Sequence, residues 1–526
     1  MLFRWIPALF IIFLSGIFIS TAQAQYGGTN ANQKNGSKSF FKVSQINIAG
    51  KFSGFFWQDL DGDDLADMVV KKKKEWLIFF QTPSGFPELP TQRLRFDESM
   101  LVYDFGEIDA EPGRELVYHT KQGVKYYKIR GKQIEETPIS FLEHPSIFGI
   151  FAEHEDKKVF HWNFIRDFNQ DGLNDVIIPM IDRYALYSRK PSGSFELMSE
   201  LEGETYSRLY EMKYGRNTLY GTFSTREILV FDFNGDGRQD IVSVGKKALK
   251  IFFQDENRSF AGKPGKVVAL PFKTKEGMRG YMEKSGKGKE QIRLNSAADL
   301  NNDGLLDLIA HKISLKQSLL NPKSQIRIYL GKEDKENPGT GAQYNKRPDQ
   351  IIISEGTQIS AFTADLDGDK KLELIIPTLK LGLLRIVKML ITSSATLDIS
   401  FYKLGDDQKF GTTPIVNKDV SIKYSFSGGL TSLFIPSIDH DFNGDGLRDL
   451  LTSEGRDEIV IFYGNKENLF SDDPDITFEV PLPKNGTRVK AGDINSDGKA
   501  DIIMYYDVDD DEGRSTKIIR VLMAEG

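Results

Sequence analysis

The sequence predicts an all-β protein, an eight-bladed β-propeller whose N-terminal strand closes the last blade. Three observations carry this. A nine-residue acidic loop recurs eight times. Short apolar, β-rich runs follow each loop, about four per repeat. An unassigned strand-like segment at 41–48 precedes the first loop, while too little chain follows the last loop to complete its blade.

The loops place oxygen-bearing side chains at positions 1, 3, 5 and 9. The sets are Asp59, Asp61, Asp63, Asp67; Asp167, Asn169, Asp171, Asp175; Asp232, Asn234, Asp236, Asp240; and Asp299, Asn301, Asp303, Asp307. They continue with Asp365, Asp367, Asp369, Glu373; Asp441, Asn443, Asp445, Asp449; and Asp493, Asn495, Asp497, Asp501. A worn copy is Glu107, Asp109, Glu111, Glu115, with Ala110 and Pro112 where the clear copies favour Gly. Carboxylates on alternate residues of a tight loop converge on one point. Calcium suits them, because it takes six to eight oxygens at about 2.3–2.6 Å, whereas magnesium demands a tighter octahedron and gives up water reluctantly. Asp, Asn and Gly are also ordinary turn formers, but eight copies in one register exceed what turn formation requires. An EF-hand would need Glu at position 12 and flanking helices. Position 12 here is apolar in most copies, as in Val70, Ile178 and Met504. The expected cofactor is Ca2+, in seven loops, with the worn copy empty or weak.

The loops start at 59, 107, 167, 232, 299, 365, 441 and 493, and no interval is double another. Repeats of this length with four short strands read as propeller blades. Pairing 41–48 with 517–522 ties the ends together and removes an exposed edge.

These motifs resemble the FG-GAP/VCBS repeats of the integrin-α N-terminal superfamily. The resemblance spans about 41–526 and implies a propeller with calcium bound between the first two strands of each blade. Integrin α-chains have seven blades, which makes seven the alternative count.

Residues 1–24 read as a signal peptide: Arg4, an apolar run over 5–19, and Ala22-Gln23-Ala24 before Gln25. Residues 25–39 read as a flexible linker, and 40–526 as the propeller. The expected address is periplasmic, cell-surface or secreted, with no transmembrane span in the mature chain. The absence of cysteine excludes disulfides and thiolate sites. A net charge of −7 argues against nucleic acid, which leaves a basic footprint on its partners.

The loop that joins strands one and two lies on one face of the disc, so long connections elsewhere collect on the other. There Tyr206, Tyr210, Tyr214 and Tyr220 lie near Arg208 and Arg216. Lys273, Lys275, Arg279, Lys284, Lys287 and Lys289 surround Tyr281. The run with Leu383, Leu384, Val387, Met389 and Leu390 suggests an amphipathic helix. Seam packing and solvated loops are the plainer readings of these segments. The expected function is a monomeric binding or adhesion module for a glycan or protein. The alternative is a calcium-dependent polysaccharide lyase-like enzyme, since some eight-bladed lyases share the layout. Six histidines (His119, His144, His154, His161, His311, His440) show no metal-ligand spacing.

The leader predicts that the exported chain starts at Gln25. Intact-mass measurement of protein exported by a bacterial host checks this; retention of residues 1–24 in the main species contradicts it.

Overall fold

The computed structural model describes residues 40–525 other than 51, 74, 151–158, 204–205, 213–217, 225–226, 246, 273–290, 314–322, 359–360, 380–384, 386–390, 393, 424–435, 456, 484–485 and 510–514. The expected leader and linker, the lysine-rich segment and most of the expected amphipathic helix lie outside the described residues.

Each acidic loop joins the first two strands of a blade, and eight blades form a ring; six blades have four strands, and the sheets of blades two and six count five. Blade one consists of Gly54–Gln58, Asp67–Lys71, Trp76–Phe79 and Gln92–Leu94, paired in that order. The ninth loop residue begins the second strand in every blade: Asp67–Lys71, Glu115–His119, Asp175–Pro179, Asp240–Val244, Asp307–Ile313, Glu373–Leu379, Asp449–Glu454 and Asp501–Asp509. The eight-blade count is therefore correct, and the seven-blade alternative is not. Blade two differs in detail: the two-residue strand Phe160–His161 pairs parallel with Val102 and Tyr103 along its inner edge.

Blades stack face to face, so their middle strands are covered on both sides. Asp175–Pro179 is buried throughout, as is Glu373–Leu379. Such strands read as continuous apolar runs. Fourth strands cover the rim and alternate instead: Lys266–Ala269 and Ile476–Glu479 each bury every second residue or nearly so. The core follows as a ring of seams between neighbouring blades. One seam gathers Phe55, Met68 and Leu77 of blade one with Ile494, Ile503 and Ile519 of blade eight.

The ring closes through the N-terminal strand. Phe41–Ala49 pairs antiparallel with Ser515–Ala524, from Phe41 opposite Ala524 to Ala49 opposite Thr516. It supplies the outer strand that blade eight lacks. Ile46 and Ile48 on this strand are buried in the same seam, while Val43 is 42% exposed.

If this closure holds the ring, Ile46→Ala should cost about 2–5 kcal/mol, as large-to-small core changes do. Val43→Ala on the same strand should stay within about 0.5 kcal/mol. Urea unfolding of both variants checks this, and equal small effects would show that the strand is not integral.

Candidate metal centres

The loop backbone is set by positions 4 and 6. Both adopt positive φ in seven copies, for example Gly235 (73°) with Gly237 (86°), and Gly62 (75°) with Asp64 (63°). Glycine, or Asn and Asp, tolerates this region; most side chains do not. In the worn copy position 6 is Pro112, whose ring fixes φ near −65°. Its positive-φ residue is Gly113, one position later. The loop in blade two therefore follows a different path from the other seven.

Position 1 orders the loop from inside. Asp441 Oδ1 accepts the Gly444 N–H at 2.6 Å and Oδ2 accepts that of Gly446 at 2.7 Å. Asp59, Asp167, Asp232, Asp299, Asp365 and Asp493 accept equivalent bonds.

Position 9 is fully buried in all eight blades. One oxygen accepts the N–H of loop residue 2, as in Asp67 to Leu60 at 3.0 Å and Asp501 to Ile494 at 3.1 Å. In five blades the other oxygen accepts an N–H at or just beyond the end of the third strand: Asp67 from Gln81 (2.8 Å), Asp240 from Gln254 (2.9 Å), Asp307 from Gly331 (2.6 Å), Asp449 from Gly464 (2.7 Å) and Asp501 from Ala524 (2.8 Å). In Asp175, Glu373 and Glu115 the second oxygen is buried without a hydrogen-bond partner. Burial is the largest influence on these carboxyls. It pushes Asp67, Glu115, Asp175, Asp307, Glu373 and Asp501 up to about 7, and Asp240 and Asp449 to about 6, against the pull of their backbone bonds.

Position 3 is handled in two ways. In the five Asn copies the amide donates to the carboxylate at position 5, at 2.9–3.0 Å: Asn169 to Asp171, Asn234 to Asp236, Asn301 to Asp303, Asn443 to Asp445 and Asn495 to Asp497. Where position 3 is acidic, a lysine takes over. Lys132 Nζ lies 2.9 Å from Asp63 and 3.7 Å from Asp61. Lys403 contacts Asp367 and lies 3.5 Å from Asp369. Lys128 lies 3.2 Å from Asp109 and 3.7 Å from Glu111. The first loop in blade order to break this pattern is that of blade four, which adds Arg238 at 2.6 Å from Asp236.

These residues fit a hard cation. Carboxylate oxygens of Asp59, Asp61 and Asp67 lie within 4.8 Å of one another, as do those of Asp365, Asp367 and Glu373. Asp61 Oδ1 is buried with no hydrogen-bond partner. Burial, then the neighbouring Asp63, raises the Asp61 carboxyl above its ordinary range.

Sequence spacing alone left two features unread. Loop position 2 is apolar and buried in every copy: Leu60, Ile108, Phe168, Phe233, Leu300, Leu366, Phe442 and Ile494. That signal stands in the sequence beside the acids. The lysines have no local signal, since Lys132 comes from the next blade.

Residues 232–310 and 441–504 match the family model for the FG-GAP-like repeat. They contain the loops of blades four and five and of blades seven and eight. The chain is a β-propeller with FG-GAP-like repeats in these blades. No curated protein sequence matches it. Among solved structures it is similar to an Agrocybe aegerita lectin described as recognising non-reducing terminal N-acetylglucosamine. That match has 15% identity and a TM-score of 0.39, covering 81% of this chain and 92% of that one. It is also similar to the V. cholerae biofilm matrix protein Bap1, at 12% identity and a TM-score of 0.26, covering 91% and 77%.

Carboxyls held above the ordinary 3.8–4.5 bind protons more tightly folded than unfolded. Their stabilising effect is complete below the unfolded value and is lost as pH rises through about 6–7. His119 and His311, lowered to about 3 and about 4 by burial, act in the opposite sense but are fewer. In chelator the FG-GAP propeller should therefore melt a few °C higher at pH 5.5 than at pH 7.5. A saturating divalent cation should narrow that gap. Differential scanning fluorimetry checks this, and a chelated protein more stable at pH 7.5 contradicts it.

Proposed function

We propose that this FG-GAP propeller is an exported binding module, stiffened by calcium in its loops, that docks a glycan or protein on the face opposite those loops. The observation that carries this reading is the division of the two faces. All eight acidic loops join first to second strands and so share one face. While the loop face also carries the connections from third to fourth strands, up to 330–349 in blade five, the longest links between successive blades, such as 203–226, leave the other. There the hairpin Tyr206–Met212 with Thr218–Ser224 links the fourth strand of blade three to the first of blade four. Tyr210 stands directly opposite Tyr220 in its register. Tyr214 and the lysine-rich segment at 273–289 lie outside the described residues.

Calcium then acts at a distance. Seven loops, built on Asp59, Asp167, Asp232, Asp299, Asp365, Asp441 and Asp493, take an ion; the worn loop from Glu107 to Glu115 does not. Extracellular modules bind calcium at about 10⁻⁴–10⁻³ M. At tenfold excess over Kd each site adds about 1.4 kcal/mol. In the described residues no helix is long and apolar enough to cross a membrane.

The test pairs two variants with a glycan array in calcium and in chelator. Tyr210→Ala with Tyr220→Ala should weaken ligand binding and leave melting nearly unchanged. Asp441→Ala should lower the melting temperature and remove one bound calcium by calorimetry. Unfolding of the tyrosine variant would make those side chains core. Release of unsaturated uronides from a polysaccharide would replace the binding reading with a lyase.

A further inference from the structure

Two of the regular acidic loops, those of blades one and six, carry Asp at position 3. Among the described residues these two alone bring carboxylate oxygens of three residues within 4.8 Å of one another. Each also holds a buried carboxylate oxygen with no hydrogen-bond partner. In loop one it is Oδ1 of Asp61, whose side chain is 4% exposed; in loop six it is Oε1 of the fully buried Glu373. Such oxygens are costly unless a cation meets them.

In both loops the acid left outside that group is position 5, and a lysine holds it. Lys132 Nζ lies 2.9 Å from Asp63, and Lys403 Nζ lies 3.5 Å from Asp369. Each ammonium also reaches position 3, Lys132 at 3.7 Å from Asp61 and Lys403 in contact with Asp367. Lys403 follows the third strand of its own blade, Ser394–Tyr402. Lys132 comes from blade two, past its third strand Val124–Tyr127, and also donates to the Gln81 carbonyl at 2.6 Å. It therefore spans the seam between blades one and two. The Lys132 and Lys403 side chains are 43% and 37% exposed. Exposed ion pairs of this kind contribute little and open readily to water. Lys128, on the worn loop of blade two, is more deeply set, with 16% of its side chain exposed. In the Asn loops of blades three, five, seven and eight no basic side chain pairs with a loop carboxylate among the described residues; the Asn amide meets position 5 instead.

We propose that Lys132 and Lys403 are built-in competitors of calcium, so that the loops of blades one and six form a separate class of weaker, exchangeable sites that fill after the Asn loops of blades three, five, seven and eight. The inference rests on calcium occupying the loops, as proposed above, and adds which loops respond to its concentration. A divalent ion and an ammonium a few ångströms apart repel each other even in water. An ion entering loop one must take the oxygens of Asp61 and Asp63 from Lys132. The ammonium then moves to solvent, and its bond to the Gln81 carbonyl goes with it. Filling loop one thus exchanges a tether from blade two for a ligand bond inside blade one. At loop six the same exchange stays within one blade, because Lys403 and its acids share it.

The experiment titrates the full chain with calcium by calorimetry in competition with a chelator. Lys132→Met and Lys403→Met should each raise the affinity of one weak site about tenfold and leave the other sites unchanged. Lys132→Arg, which keeps the charge, should leave its site weak. A second measurement needs no variant: amine acetylation read by mass spectrometry. Lys132 and Lys403 should label faster in calcium than in chelator, while Lys128 should label equally in both. Unchanged or lowered calcium affinity in either methionine variant, or equal labelling of Lys132 and Lys403 with and without calcium, overturns the competition and leaves the calcium reading standing. A chain that binds no calcium overturns both.

Discussion

One buried carboxylate per blade governs the rest of this structure. Asp67 shows the pattern: it starts the second strand, takes the loop N–H of Leu60 with one oxygen and the N–H of Gln81 past the third strand with the other. A single side chain thus ties the loop to two strands. An ionised carboxylate in such a place is strongly unfavourable unless its charge is answered. Two amides answer part of it. The rest must come from a proton or from a cation in the loop. Blade geometry, loop sequence and ion dependence are then one requirement seen from three sides, repeated eight times around the ring.

The two treatments of position 3 reach the same charge. In the loops of Asp59 and Asp365, four carboxylates meet one lysine, Lys132 or Lys403. In the Asn copies other than that of blade four, which adds Arg238, three carboxylates meet an amide. Fully ionised, either arrangement leaves three negative charges. A fourth carboxylate is tolerated where an ammonium is in reach, and an amide replaces it elsewhere. The lysine solution has a further consequence: an ion entering loop one or six competes with that ammonium for the same oxygens, whereas among the Asn loops only that of blade four, with Arg238 on Asp236, shows such a competitor in the described residues.

Much of this was legible in the sequence because metal loops need their ligands within nine residues. The loops index the strands, and through them the blades and the closing strand at Phe41–Ala49. What spacing could not show is what the ring brings together. Lys132 reaches Asp63 across 69 positions, and Lys403 reaches Asp367 across 36. The clamp made by position 9 was also hidden. A carboxylate at that place reads as a ligand closing the cage; its bond to an N–H such as Gly331, 24 residues on, is visible only in the folded blade. The two-residue strand Phe160–His161 is too short to leave a pattern.

The two faces of the disc carry different constraints. On the loop face, position eight of one loop donates to the loop of the preceding blade: Ala66 to the Ile494 carbonyl (2.9 Å), Leu372 to Leu300 (2.9 Å) and Ala500 to Asp441 (2.6 Å). A disturbance in one loop is felt by two blades. Connections on the opposite face escape this stitching, so their length and composition can vary at little cost to the ring. The seam between blades eight and one carries both constraints: the bond from Ala66 to the Ile494 carbonyl crosses it on the loop face, and Ile46 and Ile48 of the N-terminal strand pack into it from the rim, so its geometry is set only when the whole ring is closed.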